Sequence, residues 1–321
     1  MTTLRSVSFE LATVAKNELN EDPAQLDSQL EVIRRFLNDQ HTLCGELSDQ
    51  ILLSFLRGCK FSLEKTKEKL ALFFRIRTAL PQVVQDRDPI DEHVLKVIRM
   101  GVGIPLPETV YQSDPRIFII RVAQFDVAEC SFADVIKVGT LINDIMMRDD
   151  DQVVICGMSL IIDLARVTAG HLFQFDLEFL KQVAVLYQDA SPFRMRGIHI
   201  LNPPPGMQTV VNVFNGLLST KNQDRRIFVH GSSLNSLHTQ FPRSVLPVEY
   251  GGTLEPIQKY VDVWENGLRN NRDYLLEMGK LRDSQIGELS GLQANKSFLS
   301  ASSRISDNFG IDGTFRKLEL D

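Results

Sequence analysis

From Ile117 onward the chain alternates short apolar runs with longer amphipathic ones, and that alternation limits the fold more than any other feature. Ile117-Phe-Ile-Ile-Arg-Val reads as a strand, and Ser131 caps a helix carrying Val135, Ile136, Val138, Leu141, Ile142 and Ile145. Residues 153–163 read as a second strand, too continuously apolar to be half exposed. Asp176 opens a helix with Phe179, Leu180, Val183, Ala184 and Tyr187. Residues 197–201 form a third strand, 206–219 a helix, and Ile227-Phe-Val a fourth strand. Strand and helix in strict alternation imply an α/β fold, a mainly parallel sheet with right-handed crossovers.

The part before it is helical. Leu26, Leu30, Ile33 and Leu37 recur at helical spacing after Asp22-Pro23. A second helix follows Ser48 with Ile51, Leu52, Phe55 and Leu56. A third follows Ser62 with Leu63, Leu70, Phe73, Phe74 and Ile76, and stops before Pro81. The expected division is a helical module at 1–90, the α/β domain at 91–255, and a C-terminal helix and tail at 256–321, the helix over 256–281 and the serine-rich tail over 283–321. Phe309, Ile311, Phe315 and Leu318 are apolar residues suited to dock the end of the tail onto the body.

Composition excludes several classes. A net charge of −6 does not suit a nucleic-acid binder, which meets phosphates with a basic surface. Cys44, Cys59, Cys130 and Cys156 are scattered, with no CxxC and no Cys/His cluster, so free buried thiols are expected rather than disulfides or zinc. The N-terminal stretch has no apolar signal core, and the longest apolar run is too short to span a bilayer, which takes roughly 20 residues. The expectation is a cytoplasmic, monomeric protein whose membrane contact is peripheral and transient, with no metal and no cofactor.

No catalytic motif is present. There is no GxSxG, Walker loop or HExxH, and Gly101-Val-Gly103 lacks the third glycine of a dinucleotide loop. A Ser232/His230 pair is conceivable, but it has no nucleophile elbow and no orienting acid, so no enzyme activity is expected. Asp163, at a strand end, is expected to hold a turn.

An apolar surplus stands out instead. The helix around Met207, Val210, Val211, Val213, Phe214, Leu217 and Leu218 carries no charge until Lys221. An ordinary surface helix has a charged outer face. This one is either buried on both sides, or lines an apolar cavity with one face and meets a membrane with the other. Charges bracket it. Arg194 and Arg196 are two apart, so on an extended chain they point the same way, and Lys221, Arg225 and Arg226 follow the helix. Guanidinium forks suit phosphate oxygens, and cations at a helix end also complement its dipole.

Three ordered stretches then resemble a known family: Gln188-Asp-Ala-Ser-Pro-Phe-Arg-Met-Arg-Gly-Ile-His-Ile-Leu-Asn-Pro-Pro, Arg226-Ile-Phe-Val-His-Gly, and Leu246-Pro-Val-Glu-Tyr-Gly-Gly. With the leader Leu52-Leu-Ser-Phe-Leu-Arg-Gly-Cys-Lys-Phe, they are similar to the CRAL-TRIO lipid-binding domain. The likeness is to its alpha-tocopherol transfer protein and cellular retinaldehyde-binding protein branch, and Gly313-Thr-Phe-Arg-Lys-Leu-Glu resembles the end of insect members. The resemblance implies a carrier of one hydrophobic ligand (a retinoid, a tocopherol or a related isoprenoid) under a mobile gate helix at 206–219. The expected pocket residues are Phe118, Ile120, Leu160, Ile162, Phe179, Val183, Tyr187, Phe214 and Leu217. The resemblance also implies phosphoinositide contacts through Arg194, Arg196, Lys221, Arg225 and Arg226. Cys59 stands where the leader's second basic residue is expected, and the Lys221–Arg226 stretch is one residue longer than usual. A different expectation keeps the fold but makes the chain a phosphoinositide-sensing module that recruits a protein.

Overall fold

In the computed structural model, which describes residues 4–204 and 227–284, the N-terminal part is built of helices. They are α1 (Phe9–Leu19), α2 (Leu26–Asp39), α3 (Asp49–Gly58), α4 (Leu63–Ala79), α5 (Pro81–Val84) and α6 (Glu92–Arg99), with a two-residue strand, β1 (Leu43–Cys44), after α2. α3 and α4 start after Ser48 and Ser62 as read from the sequence, and α4 ends before Pro81, which opens α5 instead. α1 is an addition to that reading. Its signals are local: Ser8 Oγ accepts the Leu11 N–H, Leu11, Ala15 and Leu19 share a buried face, and Asn20 closes the helix at φ 66°.

The alternating segment forms one five-stranded sheet. Its strands are β2 (Gly103–Pro105), β3 (Arg116–Arg121), β4 (Met158–Asp163), β5 (Met195–Leu201) and β6 (Ile227–Gly231), in that spatial order. β3 to β6 are parallel, and β2 pairs antiparallel with β3 as an edge strand. Between β3 and β4 run α7 (Phe132–Asp149) and α8 (Asp151–Cys156); α9 (Ala169–Phe173) and α10 (Leu177–Ala184) lie between β4 and β5. Ser131 and Asp134 form a reciprocal cap at the start of α7.

The expected strand over 153–163 is corrected in its first half. Asp150 accepts the Val153 N–H and starts α8, and Gly157 at φ 85° breaks the helix before β4 begins. Val153, Val154, Ile155 and Cys156 are buried all round, so their apolar run satisfies a short buried helix as well as a strand.

After β6 come α11 (Leu234–His238), α12 (Ile257–Asn270) and α13 (Arg272–Met278). The single helix expected over 256–281 is therefore two. Asn271 turns its Nδ2 back onto the Gly267 carbonyl at 2.8 Å and ends the first of them. The chain then returns to its start, where β7 (Arg282–Asp283) pairs antiparallel with β1.

One continuous core runs from Leu30 in α2 through the sheet to Leu281. Polar contacts fasten the helical module to it. Arg57 pairs with Glu21 and Asp151, and Lys69 donates to the carbonyls of Asp189 and Ser191 at 2.5 and 2.9 Å. A Cβ added at Gly58 would run into the Pro192 carbonyl. Two of the stretches that carry the family resemblance are thus locked to one another. Arg77 and Arg87 both converge on Asp144 of α7. All four cysteines are free, and Cys59, Cys130 and Cys156 are buried.

Candidate functional site

The strand register sorts the apolar residues onto two faces. One row across β3 to β6 is Phe118, Leu160, Ile198 and Ile227, and the next is Ile120, Ile162, Ile200 and Val229. On the opposite face Ile117, Ile119, Ile161 and His199 are buried in the core. Phe118, Ile120, Leu160 and Ile162, expected in a pocket, therefore share one side and are half-buried there. Ile162, Ile198 and Ile227 pack with Leu164, Ile200, Val122 and Val167 in a small apolar cluster of their own. Parallel sheets are usually buried deeply on both faces, and this one has a side that is apolar yet less tightly covered.

Phe179, Val183 and Tyr187 recur every fourth residue along α10 and the π-helical turn Val185–Asp189 that continues it. This face packs on α7. The Phe179 ring meets Phe132 edge-on with centroids 5.8 Å apart, and the Tyr187 hydroxyl donates to the Ile136 carbonyl at 3.3 Å above Gly139. Burial raises the Tyr187 pKa well above the usual phenol value. The tyrosine's polar end is thus already occupied by the protein. Phe214, Leu217 and the rest of the expected gate at 206–219 lie outside the described residues, as do Lys221, Arg225, Arg226 and the tail.

Arg194 and Arg196 do point the same way. Arg194 donates to the Ile155 carbonyl, and Arg196 Nε to the Cys156 carbonyl at 2.8 Å, so both guanidinium groups sit against the C-terminal end of α8. The free carbonyls of a helix end favour cations. Their outer edges meet Glu18 of α1, whose Oε2 accepts from Arg196 at 2.5 Å and lies 3.5 Å from Arg194. The hydrogen bond from Arg196, with the charges of both arginines, lowers the Glu18 pKa against the opposing effect of burial. Reading the sequence missed this acidic partner, although Ser8 and the Leu11, Ala15, Leu19 spacing mark the helix that carries it.

Beneath the N-terminal segment lies a cavity of about 490 Å³ lined by Ser6, Val7, Leu11, Arg116, Asp150 and Trp264 among others. Its lining mixes polar and apolar residues, and two of its carboxylates are engaged: Asp150 with Arg116, and Asp151 with Arg5 and Arg57.

The remaining candidates are structural. Asp163 accepts from the Ala165 N–H, the Asn202 side chain and the Tyr250 hydroxyl at 2.8–3.0 Å, which is the turn-holding role expected of it. His230 bonds to Ser236 Oγ at 2.7 Å and to His199 at 3.0 Å, while Ser232 sits on an exposed turn. Among the described residues no helix is long and apolar enough to cross a membrane, and no group of His, Cys, Asp and Glu could hold a metal ion.

Comparison with known proteins finds similarity in two parts of the chain. Residues 112–252 match the CRAL/TRIO domain, and residues 22–94 match a Pinta-like UBA domain. An alpha-tocopherol transfer protein-like protein of Homo sapiens is 29% identical over 252 residues, covering 77% of this chain and 71% of that protein. Clavesin-1 of Xenopus laevis is 28% identical over 241 residues, 74% of this chain and 71% of its own length. Clavesin-2 of Homo sapiens is 28% identical over 252 residues, 78% and 76% of the two chains. The crystal structure of Sfh5 aligns with a TM-score of 0.47 at 12% identity, covering 80% of this chain and 92% of that one.

Proposed function

We propose that this chain, whose residues 112–252 match the CRAL/TRIO domain, carries one hydrophobic lipid-like molecule and exchanges it at membranes. The observation that carries the reading is the paired apolar rows on one face of the sheet, Phe118-Leu160-Ile198-Ile227 and Ile120-Ile162-Ile200-Val229. An apolar wall of this kind removes a ligand's hydrocarbon from water at about 25 cal/mol per Å². Phe118, Ile120, Leu160 and Ile162 form that wall, with Phe179 and Val183 of α10, Tyr187 of the turn that continues it, and Phe214 and Leu217 of the 206–219 segment as further lining. A tocopherol or another isoprenoid such as a retinoid is the ligand class that the similarity to an alpha-tocopherol transfer protein-like protein supports. The carrier itself performs no chemistry on the ligand and needs neither cofactor nor metal.

Membrane exchange is assigned to Arg194 and Arg196, with Lys221, Arg225 and Arg226, as contacts to phosphoinositide phosphates. The orientation of both guanidinium groups by the end of α8 supports this. The protein then works in the cytoplasm as a monomer that visits membranes transiently. Organic extraction of the purified full chain followed by mass spectrometry tests the carrier reading. The expected result is one hydrophobic compound per chain, and the absence of any bound lipid, together with failure to take up retinoids or tocopherols, overturns it.

The same arginine pair favours a second reading, a phosphoinositide-sensing module that recruits a protein partner. Val183→Trp separates the two: it abolishes lipid uptake by a carrier and leaves the recruitment of a sensor unchanged.

A further inference from the structure

α1 lies across the end of α8 as a strap, and its two ends are held by charge. At one end Arg5 donates to Asp151 at 2.5 Å and to the Arg148 carbonyl at 3.0 Å; at the other, Glu18 takes both Arg194 and Arg196. Between them Leu11, Ala15 and Leu19 share with Ile155 and Cys156 a small cluster separate from the main core, α1 also touches α3, and Glu10 accepts from the Ser113 N–H. An isolated helix of this length is marginal in water, so α1 persists through its docking, and what loosens the dock releases the helix as a unit.

We propose that α1 is an autoinhibitory strap in which the Glu18 carboxylate occupies, from within the chain, the place of a phosphomonoester on Arg194 and Arg196. The proposal rests on reading those two arginines as a phosphate site. Each guanidinium already spends one N–H on a carbonyl from the last turn of α8 and turns another nitrogen, Nη1 of Arg194 and Nη2 of Arg196, towards Glu18, while Arg194 Nε is buried without a partner. There a single carboxylate oxygen serves both cations. A phosphomonoester brings three acceptor oxygens and up to two negative charges to the same donors, so it outcompetes one shared oxygen. Glu18 is nearly half exposed, which keeps the internal pair weak enough to be displaced. Displacement undocks α1, uncovers Cys156 and opens the cavity beneath the N-terminal segment. Arrival at a phosphoinositide-bearing membrane is thereby coupled to a change in the chain's own covering.

The test uses the full chain with phosphatidylcholine vesicles, with and without phosphatidylinositol bisphosphate, and with a soluble inositol phosphate. Sedimentation measures binding; mass spectrometry after iodoacetamide measures alkylation of Cys156, with buried Cys59 and Cys130 reporting any general unfolding. Glu18→Gln is expected to bind the phosphoinositide vesicles about two- to fivefold more tightly than the wild type. Leu19→Ala, which loosens the same helix through its apolar face, is expected to do likewise. Phosphoinositide vesicles are expected to accelerate Cys156 alkylation in the wild type. If the soluble inositol phosphate matches them, phosphate alone releases the strap; if only vesicles act, release needs a phosphate presented by a bilayer. Arg196→Gln loses vesicle binding while Glu18→Gln gains nothing, and Cys156 stays protected throughout: that result keeps the phosphate site and overturns the strap. Full binding by Arg196→Gln and by Arg194→Gln removes the phosphate site itself, and the strap with it.

Discussion

The Arg77 guanidinium meets the Asp144 carboxylate through two hydrogen bonds, of 3.1 and 3.2 Å, where both side chains are almost wholly removed from water. Arg87 takes the same carboxylate from the other side, and Arg77 also donates to the Met278 carbonyl at 2.6 Å. The two cations come from α4 and from the segment after α5, the anion from α7, and the carbonyl from α13. One carboxylate thus joins the helical module, the α/β layer and the C-terminal helices. Asp144→Asn strands two buried guanidinium groups, and breaking such a pair costs about 3–5 kcal/mol. Urea unfolding of the variant should show that loss, whereas Arg99→Ala, which removes an exposed partner of Glu265, should stay within about 1 kcal/mol of wild type.

The apolar sheet face predicts a loss of cargo without a loss of fold. Leu160→Trp adds bulk to the centre of the first row, beside Phe118 and Ile198. Retained circular dichroism, a stability change of about 1–3 kcal/mol and no co-purifying lipid are the expected outcomes. An unchanged lipid stoichiometry would place the cargo elsewhere.

Gly139 reverses an ordinary expectation. Alanine in a helix interior is usually better than glycine by about 1 kcal/mol. Here a Cβ would lie 2.5 Å from the Tyr187 hydroxyl, which it would push from the Ile136 carbonyl. Gly139→Ala should lower the melting temperature, and in a Tyr187→Phe background the same substitution should raise it. Equal effects in both backgrounds would separate Gly139 from Tyr187.

The stacked pair His199 and His230 predicts acid sensitivity. Burial and the neighbouring His230 push His199 down to about 4 from 6.5, and burial also lowers His230. Phe228 and Phe241 enclose His199, and Ser236 holds His230. In the unfolded chain His199 takes up a proton from about pH 6.5 downward, while in the folded chain it resists until about pH 4. Its contribution is complete above 6.5 and is lost as the pH falls towards 4. A His199→Phe variant should show a flatter decline in melting temperature across that window, measured against wild type in the same buffers.

Much of this was legible in the sequence because the local signals and the tertiary structure agree. The alternation after Ile117, the caps at Ser131 and Asp176 and the stop before Pro81 each correspond to an element. Period two along β3 and β4 was enough to put Phe118, Ile120, Leu160 and Ile162 on one face. What failed did so for physical reasons. A buried run such as Val153-Val-Ile-Cys carries no period, so helix and strand look alike until a capping aspartate is recognised. Glu18 and Arg196 are separated by 178 residues, and no local pattern joins them. The hydrogen bond from the Tyr187 hydroxyl to the Ile136 carbonyl of α7 likewise has no local signal, and only the packing around Gly139 reveals it.

The pairing of β1 with β7 fixes the order in which the molecule can be completed. The Ser284 N–H donates to the Thr42 carbonyl at 2.7 Å, and the two residues are 242 positions apart. During synthesis the helical module leaves the ribosome with this edge unmatched, and the whole α/β layer must be made before the partner arrives. Arg75 waits in the same way for Asp283. The nascent chain therefore carries an open seam for most of its translation, and a premature stop anywhere before Arg282 releases a product whose first-made part has never been closed.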